Sequence, residues 1–271
     1  MGLATLVFWL GNRHYVKIPP QRGSNPDSFL RVCWTAIKTR APGAFWSGAE
    51  KKHDGEAVEG VRAVFRLMGV FLLVPFFWML FDQKASTWVL QADKMDRNVL
   101  GVTIEASQMQ VVNPLLVMIL LPLMQGVIYP FVGKLGFELK PLRRMAIGMA
   151  LGALSYVVAG FIQIPMDAGQ TLNILWQLLP YLLLTMAEVL VSVTGLEFAY
   201  SQAPRAMKGT IMSLWNLNVT LANVAVAIAA LFNVFSGANL FFFYAGISAL
   251  AAVGLGIISR RYKMVEYYQK A

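Results

Sequence analysis

Long apolar runs alternate with short polar segments along most of this chain. A membrane-crossing helix needs about 20 mostly apolar residues. Six runs meet that length: 62–82, 111–133, 144–164, 173–198, 209–232 and 239–259. A seventh, Leu3 to Leu10, is too short to cross. It follows Met1 with no positive leader and no small-residue cleavage site, so it does not read as a signal peptide. It reads as the tail of a span whose beginning is missing. The pattern predicts an all-α membrane protein in four parts: a helix tail over 1–11, a polar linker over 12–60, a six-helix bundle over 61–264 and a short tail over 265–271. Within the linker, Pro26 and Asp27 or Ser28 mark a helix start. Phe29, Val32, Cys33, Ala36 and Ile37 then recur at i, i+3, i+4 spacing, with Arg31, Lys38 and Arg40 off that face. This predicts an amphipathic helix over about 27–40, lying on the inner membrane surface; a calmodulin-type target helix is the alternative.

Composition agrees with the membrane reading. Hydrophobic residues make up 57% and charged residues 14% of the chain, against about 25% charged in soluble domains. The net charge of +9 is explained by its distribution. Basic residues gather before Arg66, over Lys134 to Arg144 and over Arg260 to Lys270, and none occurs in 165–173. Alternate loops are therefore positive, which predicts six crossings with both ends cytoplasmic and argues against a nucleic-acid-binding patch. Cys33 is the only cysteine, so no internal disulfide is possible. His14 and His53 lie outside the spans. No His, Cys and carboxylate cluster has metal-ligand spacing, and no catalytic constellation points to an enzyme.

The polar residues inside the spans narrow the function. Glu188 lies about 22 Å along a helix from Asn173, near the bilayer midplane, where a carboxyl costs roughly 2.5–3.5 kcal/mol or more unless something compensates. Gln177, Tyr181, Thr185, Glu188, Ser192 and Gly195 follow helical spacing and predict one polar stripe. Gly209, Ser213, Asn216, Thr220 and Asn223 form a second, with Trp215 beside it. Such stripes either line a cavity or pack helices together. The first run carries Pro75, Phe76, Phe77, Trp78 and Phe81. The second carries Asn113, Pro114, Pro122, Gln125 and Pro130. Trp78 and Trp215 suit packing or an interface as well as a ligand wall.

Three stretches carry a resemblance. Phe81 to Ala92 (FDQKASTWVLQA) resembles the F-D-Q-x-x-S-x-W-x-x-Q-A stretch of proton-dependent oligopeptide transporters. Glu188 to Pro204 resembles the tenth helix of that family and its exit, and Gly136 to Met145 its loop between helices eight and nine. The resemblance implies the C-terminal half of a twelve-helix major-facilitator fold, with the segment at Met1 as the end of helix six. It implies that Glu188 meets a peptide amino terminus and takes part in proton coupling. It places Ser192 in the same pocket, Asn113 at the amino-terminal end of the peptide, and Trp78 and Trp215 as pocket walls. The proton is then the coupling ion and no cofactor is expected.

Two departures stand out. The resemblance places Arg66 and Gln125 at gating positions: Arg66 fits the helix-seven arginine that animal members pair with a helix-eight aspartate, but Gln125 stands at the second position, which leaves Arg66 without this salt bridge. Arg66 is expected to snorkel instead. The loop over Pro165 to Asn173 is far too short for the large extracellular domain of animal members, which suggests a bacterial inner membrane. The family motif E-x-x-E-R-F and its helix-four lysine belong to the other half. The expected partners are therefore a di- or tripeptide, the lipid bilayer and a missing N-terminal six-helix bundle. Another substrate of the family such as nitrate, or a non-transporting membrane interaction subunit, remain the alternatives.

Overall fold

The computed structural model describes residues 2–16, 25–39, 44–232 and 235–265. Arg40, part of the 12–60 linker and nearly all of the 265–271 tail lie outside the described residues. The chain divides into two compact units, Met1–His53 and Asp54–Ala271.

The first unit contains α1 (Gly2–Gly11), α2 (Phe29–Lys38) and α3 (Ser47–Glu50). Val32 and Ala36 of α2, expected on the face toward the membrane surface, are buried within the protein. Ile37, expected beside them, is 61% exposed, and with Leu30 and Trp34 forms a second apolar face. A helix only ten residues long packed on a one-turn neighbour cannot cover both. His53 ties the unit together: Nδ1 lies 2.9 Å from Asp27 Oδ1 and Nε2 lies 2.8 Å from Thr35 Oγ1. Partial burial pushes the Cys33 thiol up from its ordinary value, so this cysteine is a weak nucleophile at neutral pH.

The second unit is the helical bundle. Helices α4 (Gly55–Phe71) and α5 (Pro75–Asp93) form one broken span bent by 49°. Pro75, which lacks an N–H, starts the second half. A hairpin of β1 (Asn98–Val99) and β2 (Val102–Thr103) follows. Its two turn residues, Leu100 and Gly101, both have positive φ (53° and 87°), as a two-residue hairpin turn demands. Then come α6 (Ala106–Lys134), α7 (Pro141–Asp167), α8 (Ile174–Ser201), α9 (Lys208–Phe232) and α10 (Ala238–Arg261). These five are each long and apolar enough to cross a membrane, and the bent pair makes up to six. The first span differs from its predicted extent. Its helix runs on to Asp93, so Asp82, expected at the end of the span, and Lys84, expected beyond it, both lie within it.

Polar side chains set the helix ends. Glu105 and Gln108 form a capping box before α6. Asn173 Oδ1 accepts from the Leu175 N–H at the start of α8. Asp167, at the end of α7, accepts from the Ala238 N–H of α10. The intervening Gly237 has φ of 55° and faces Asp167 so closely that a Cβ would collide with it.

Helix α7 packs most extensively on α10 and α8. Small residues permit the approach: a Cβ on Gly148 would lie 2.8 Å from Leu190 and Val191 and 3.0 Å from the Ala187 carbonyl. Buried amides join the helices further along. Gln91 Nε2 donates to Gln163 Oε1 (2.9 Å), and Gln177 Nε2 donates to Gln91 Oε1 and to the Trp88 carbonyl, each at 3.0 Å. Hydrocarbon offers no water to these groups, so they pair with one another. Gln177, expected on a polar stripe that either lines a cavity or packs helices, is fully buried in this network. The most apolar windows of α7 and α8 are each 56% buried, but those of α6 and α9 only 11% and 17%. The second polar stripe, Gly209, Ser213, Asn216, Thr220 and Asn223, lies on the uncovered side of α9 and is exposed throughout.

Gly148→Val should lower the thermal unfolding midpoint of the purified protein, at a cost of about 1–3 kcal/mol for overpacking. An unchanged midpoint by circular dichroism would contradict the close approach of α7 and α8.

Candidate functional site

The deepest carboxylate on α8 sits where two helices lose their regular winding. Helix α6 has a π segment at Met124–Ile128 and α8 has one at Val189–Val193. In α6 the cause is legible: Pro122 inside the helix removes a donor and crowds the preceding turn, and a wider turn relieves the clash. In α8 no proline lies nearby. The two segments meet, with Leu120 and Met124 clustered against Val189 and Leu190. Glu188 is the last residue before the α8 bulge, so the bulge rotates everything after it relative to a simple helical stripe.

Asn113 is the centre of the site. Its amide nitrogen donates to Glu188 Oε2 at 2.7 Å and to Thr185 Oγ1 at 3.1 Å. Its amide oxygen accepts from Lys84 Nζ at 2.7 Å. Lys84 also sits 3.3 Å above the Phe81 ring and lies within electrostatic reach of Glu188 and Asp82. Asp82 Oδ2 accepts from Asn223 Nδ2 at 2.7 Å. One buried amide thus bridges a cation on α5 to a carboxylate on α8. Charge-assisted bonds of this kind are about twice as strong as neutral ones.

The predicted site residues separate in this frame. Glu188 and Asn113 are joined directly. Trp78 packs edge-on to Phe81 at 5.5 Å, the ring beneath Lys84, and its indole N–H is buried without a hydrogen-bond partner in the protein. Ser192 lies half-buried within the π segment. Trp215 is 4% exposed, stands edge-on to Phe71 at 5.8 Å and fills the space over Gly195 so fully that a Cβ there would strike the ring. That is a packing position between α4, α8 and α9. Of the predicted first stripe, Gln177, Tyr181 and Thr185 are buried within the bundle. The stripe is therefore mostly internal, meeting Gln91 and Trp88 of α5 and Asn113 of α6.

Arg66 and Gln125 take different surroundings. Arg66 Nη2 donates to Glu59 Oε1 at 2.7 Å along its own helix, a pair half open to solvent and worth little. Gln125 lies in the α6 π segment and lines a polar cavity of about 300 Å³ with Tyr129, Arg144, Thr194 and Glu197. Arg144 stacks over Tyr129, 4.2 Å from the ring centroid. The partners of Arg66 and Gln125 that sequence reasoning did not name are Glu59 and this cavity. It likewise missed Lys84, whose position four residues before Trp88 in the FDQK stretch was the available signal.

A model of the POT family matches residues 1–244. The chain belongs to the POT family. Solute carrier family 15 member 1 of Homo sapiens is 36% identical over 176 residues, covering 62% of this chain and 25% of the relative. A solved structure described as an auto-inhibited POT family peptide transporter superposes with a TM-score of 0.85 at 39% identity, covering 99% of this chain and 64% of that one. The POT family transporter PepTSo gives 0.83 at 39% identity, covering 98% and 64%. The chain spans a quarter of the human relative and under two thirds of each of these structures. The relatives are transporters, not enzymes, and the POT match together with the apolar helices makes this a multi-pass membrane protein.

The bridge in this POT chain can be measured as a coupling. A double-mutant cycle over Asn113→Leu and Glu188→Leu, followed by thermal unfolding in detergent, should give about 0.5–2 kcal/mol. Strict additivity would show that the two side chains do not stabilise one another.

Proposed function

We propose that this chain is the C-terminal bundle of a proton-coupled di- and tripeptide transporter of a bacterial inner membrane, with both ends of the chain cytoplasmic. The carrying observation is the Lys84–Asn113–Glu188 line across three helices. Glu188 and Asp82 supply two carboxylates against the single Lys84 ammonium, so the site has an unfilled demand for one positive charge. A peptide amino terminus or a proton meets it; an anion such as nitrate does not. Family membership and the peptide-transporter relatives support the same reading.

In this mechanism Asn113 orients Glu188 and passes the influence of Lys84 to it. When a peptide ammonium enters, it competes with Asn113 for Glu188, and the freed amide can accept or donate to the peptide backbone. The unsatisfied Trp78 indole N–H offers a further donor, and Phe81 and Trp78 give an apolar wall that tolerates different side chains. Ser192 lies on the next turn. Trp215 holds α9 on α8 behind the pocket. Gln125, within its own polar cavity, has no gating partner in Arg66. No metal or organic cofactor enters the scheme.

The uncovered faces of α6 and α9 support a second six-helix bundle as the missing partner, since exposed polar groups in hydrocarbon are costly. Alternating access would then rock one bundle against the other around Glu188. In the linker, the exposed Leu30, Trp34 and Ile37 face of α2 suits the inner membrane surface.

In the complete transporter, Glu188→Gln should abolish proton-driven uptake of a labelled dipeptide by proteoliposomes while the protein stays folded. Wild-type uptake by that variant would remove Glu188 from the mechanism.

A further inference from the structure

A groove of about 500 Å³ runs between α7 and α10, the two helices that contribute nothing to the Lys84–Asn113–Glu188 site. Its walls are apolar and open to the outside: Phe137, Ile147, Val253 and Ile257 are 44–63% exposed. Its floor is open because Gly256 has no side chain, and a Cβ built there meets no atom within 4 Å. Arg143, in the first turn of α7, and Arg260, in the last turn of α10, line it from the same end of the bundle, both exposed. Neither carboxylate residue type is among its lining residues. Among the described residues Arg143 has a long 3.4 Å contact to the Glu138 carbonyl, and Arg260 and Arg261 are the basic residues of the last turn of α10.

We propose that this groove is a binding site for one anionic phospholipid. An acyl chain lies along the apolar walls over Gly256, and the phosphate is held between Arg143 and Arg260. The argument rests on charge complementarity and position. Two arginines without a lining acid sit at the mouth of an apolar channel on a membrane-spanning helix pair. That is the arrangement by which basic pockets between transmembrane helices take lipid head groups. A free phosphate would use the arginines but have no use for the channel. Ser259 does not compete for the head group, because its hydroxyl donates to the Gly256 carbonyl at 2.7 Å. The proposal is independent of the transported substrate.

Native mass spectrometry of the detergent-purified protein carrying this whole chain tests it, with phosphatidylglycerol, phosphatidylcholine and glycerol phosphate as probes. Phosphatidylglycerol should be retained over phosphatidylcholine, and glycerol phosphate should not displace it. Replacing both arginines, Arg143→Gln with Arg260→Gln, should lower phosphatidylglycerol retention about tenfold or more, since each basic residue near a lipid surface is worth about fivefold. Gly256→Leu keeps both charges and fills the channel; it should lower retention of either lipid while leaving the unfolding midpoint of lipid-free protein unchanged. Unaltered phosphatidylglycerol retention in the double variant, unaltered retention in Gly256→Leu, or full displacement by glycerol phosphate would each overturn the site.

Discussion

A charge placed in hydrocarbon must be answered within the protein, and in this chain the answer is a single asparagine. Glu188 on α8 and Lys84 on α5 are both costly where they stand. Asn113 meets both at 2.7 Å, one through each end of its amide. The surrounding architecture follows from keeping that amide in place. The capping box before α6 sets where the helix begins, seven residues ahead of Asn113 at most. After the bend before Pro75, α5 runs through Asp82 and Lys84 to Asp93. Thr185, one turn before Glu188 on α8, accepts from the same asparagine at 3.1 Å.

Irregular winding does the rest. The π segments of α6 and α8 meet through Leu120, Met124, Val189 and Leu190, beside the carboxylate. Such segments are common at functional sites because they re-aim side chains without breaking a helix. Here they put Glu188 at the end of one register and Ser192 in another. A polar cavity with Gln125, Arg144 and Glu197 opens next to the same irregularity.

Much of this was legible in the sequence. The apolar runs located α6 to α10 closely, because hydropathy over twenty residues is a strong signal. Glu188 declared itself by its cost and Asn113 by resemblance. What hid was local. Asp82 closed the first apolar run and Lys84 lay beyond it because charge ends a hydropathy window even where the helix goes on. Whether Gln177 lines a cavity or packs helices stayed open because spacing shows which residues share a face but not what covers that face; α5 covers it with Gln91. Trp215 read as a pocket wall, and the structure sets it against Phe71 and Gly195. The α8 bulge has no proline to announce it. Arg66 has a partner two turns away on the same helix face, in Glu59, a pairing that i to i+7 spacing allowed but did not demand.

The central claim is that the excess negative charge around Glu188 selects a free peptide amine. Its most direct test is calorimetric binding of alanylalanine and of N-acetyl-alanylalanine to the complete transporter at neutral pH. Losing a hydrogen-bonded charge at a desolvated carboxylate weakens binding about tenfold or more, so the acetylated peptide should bind at least that much more weakly, and the difference should vanish in Glu188→Gln. Equal affinity for the two peptides in the wild-type protein would contradict the account.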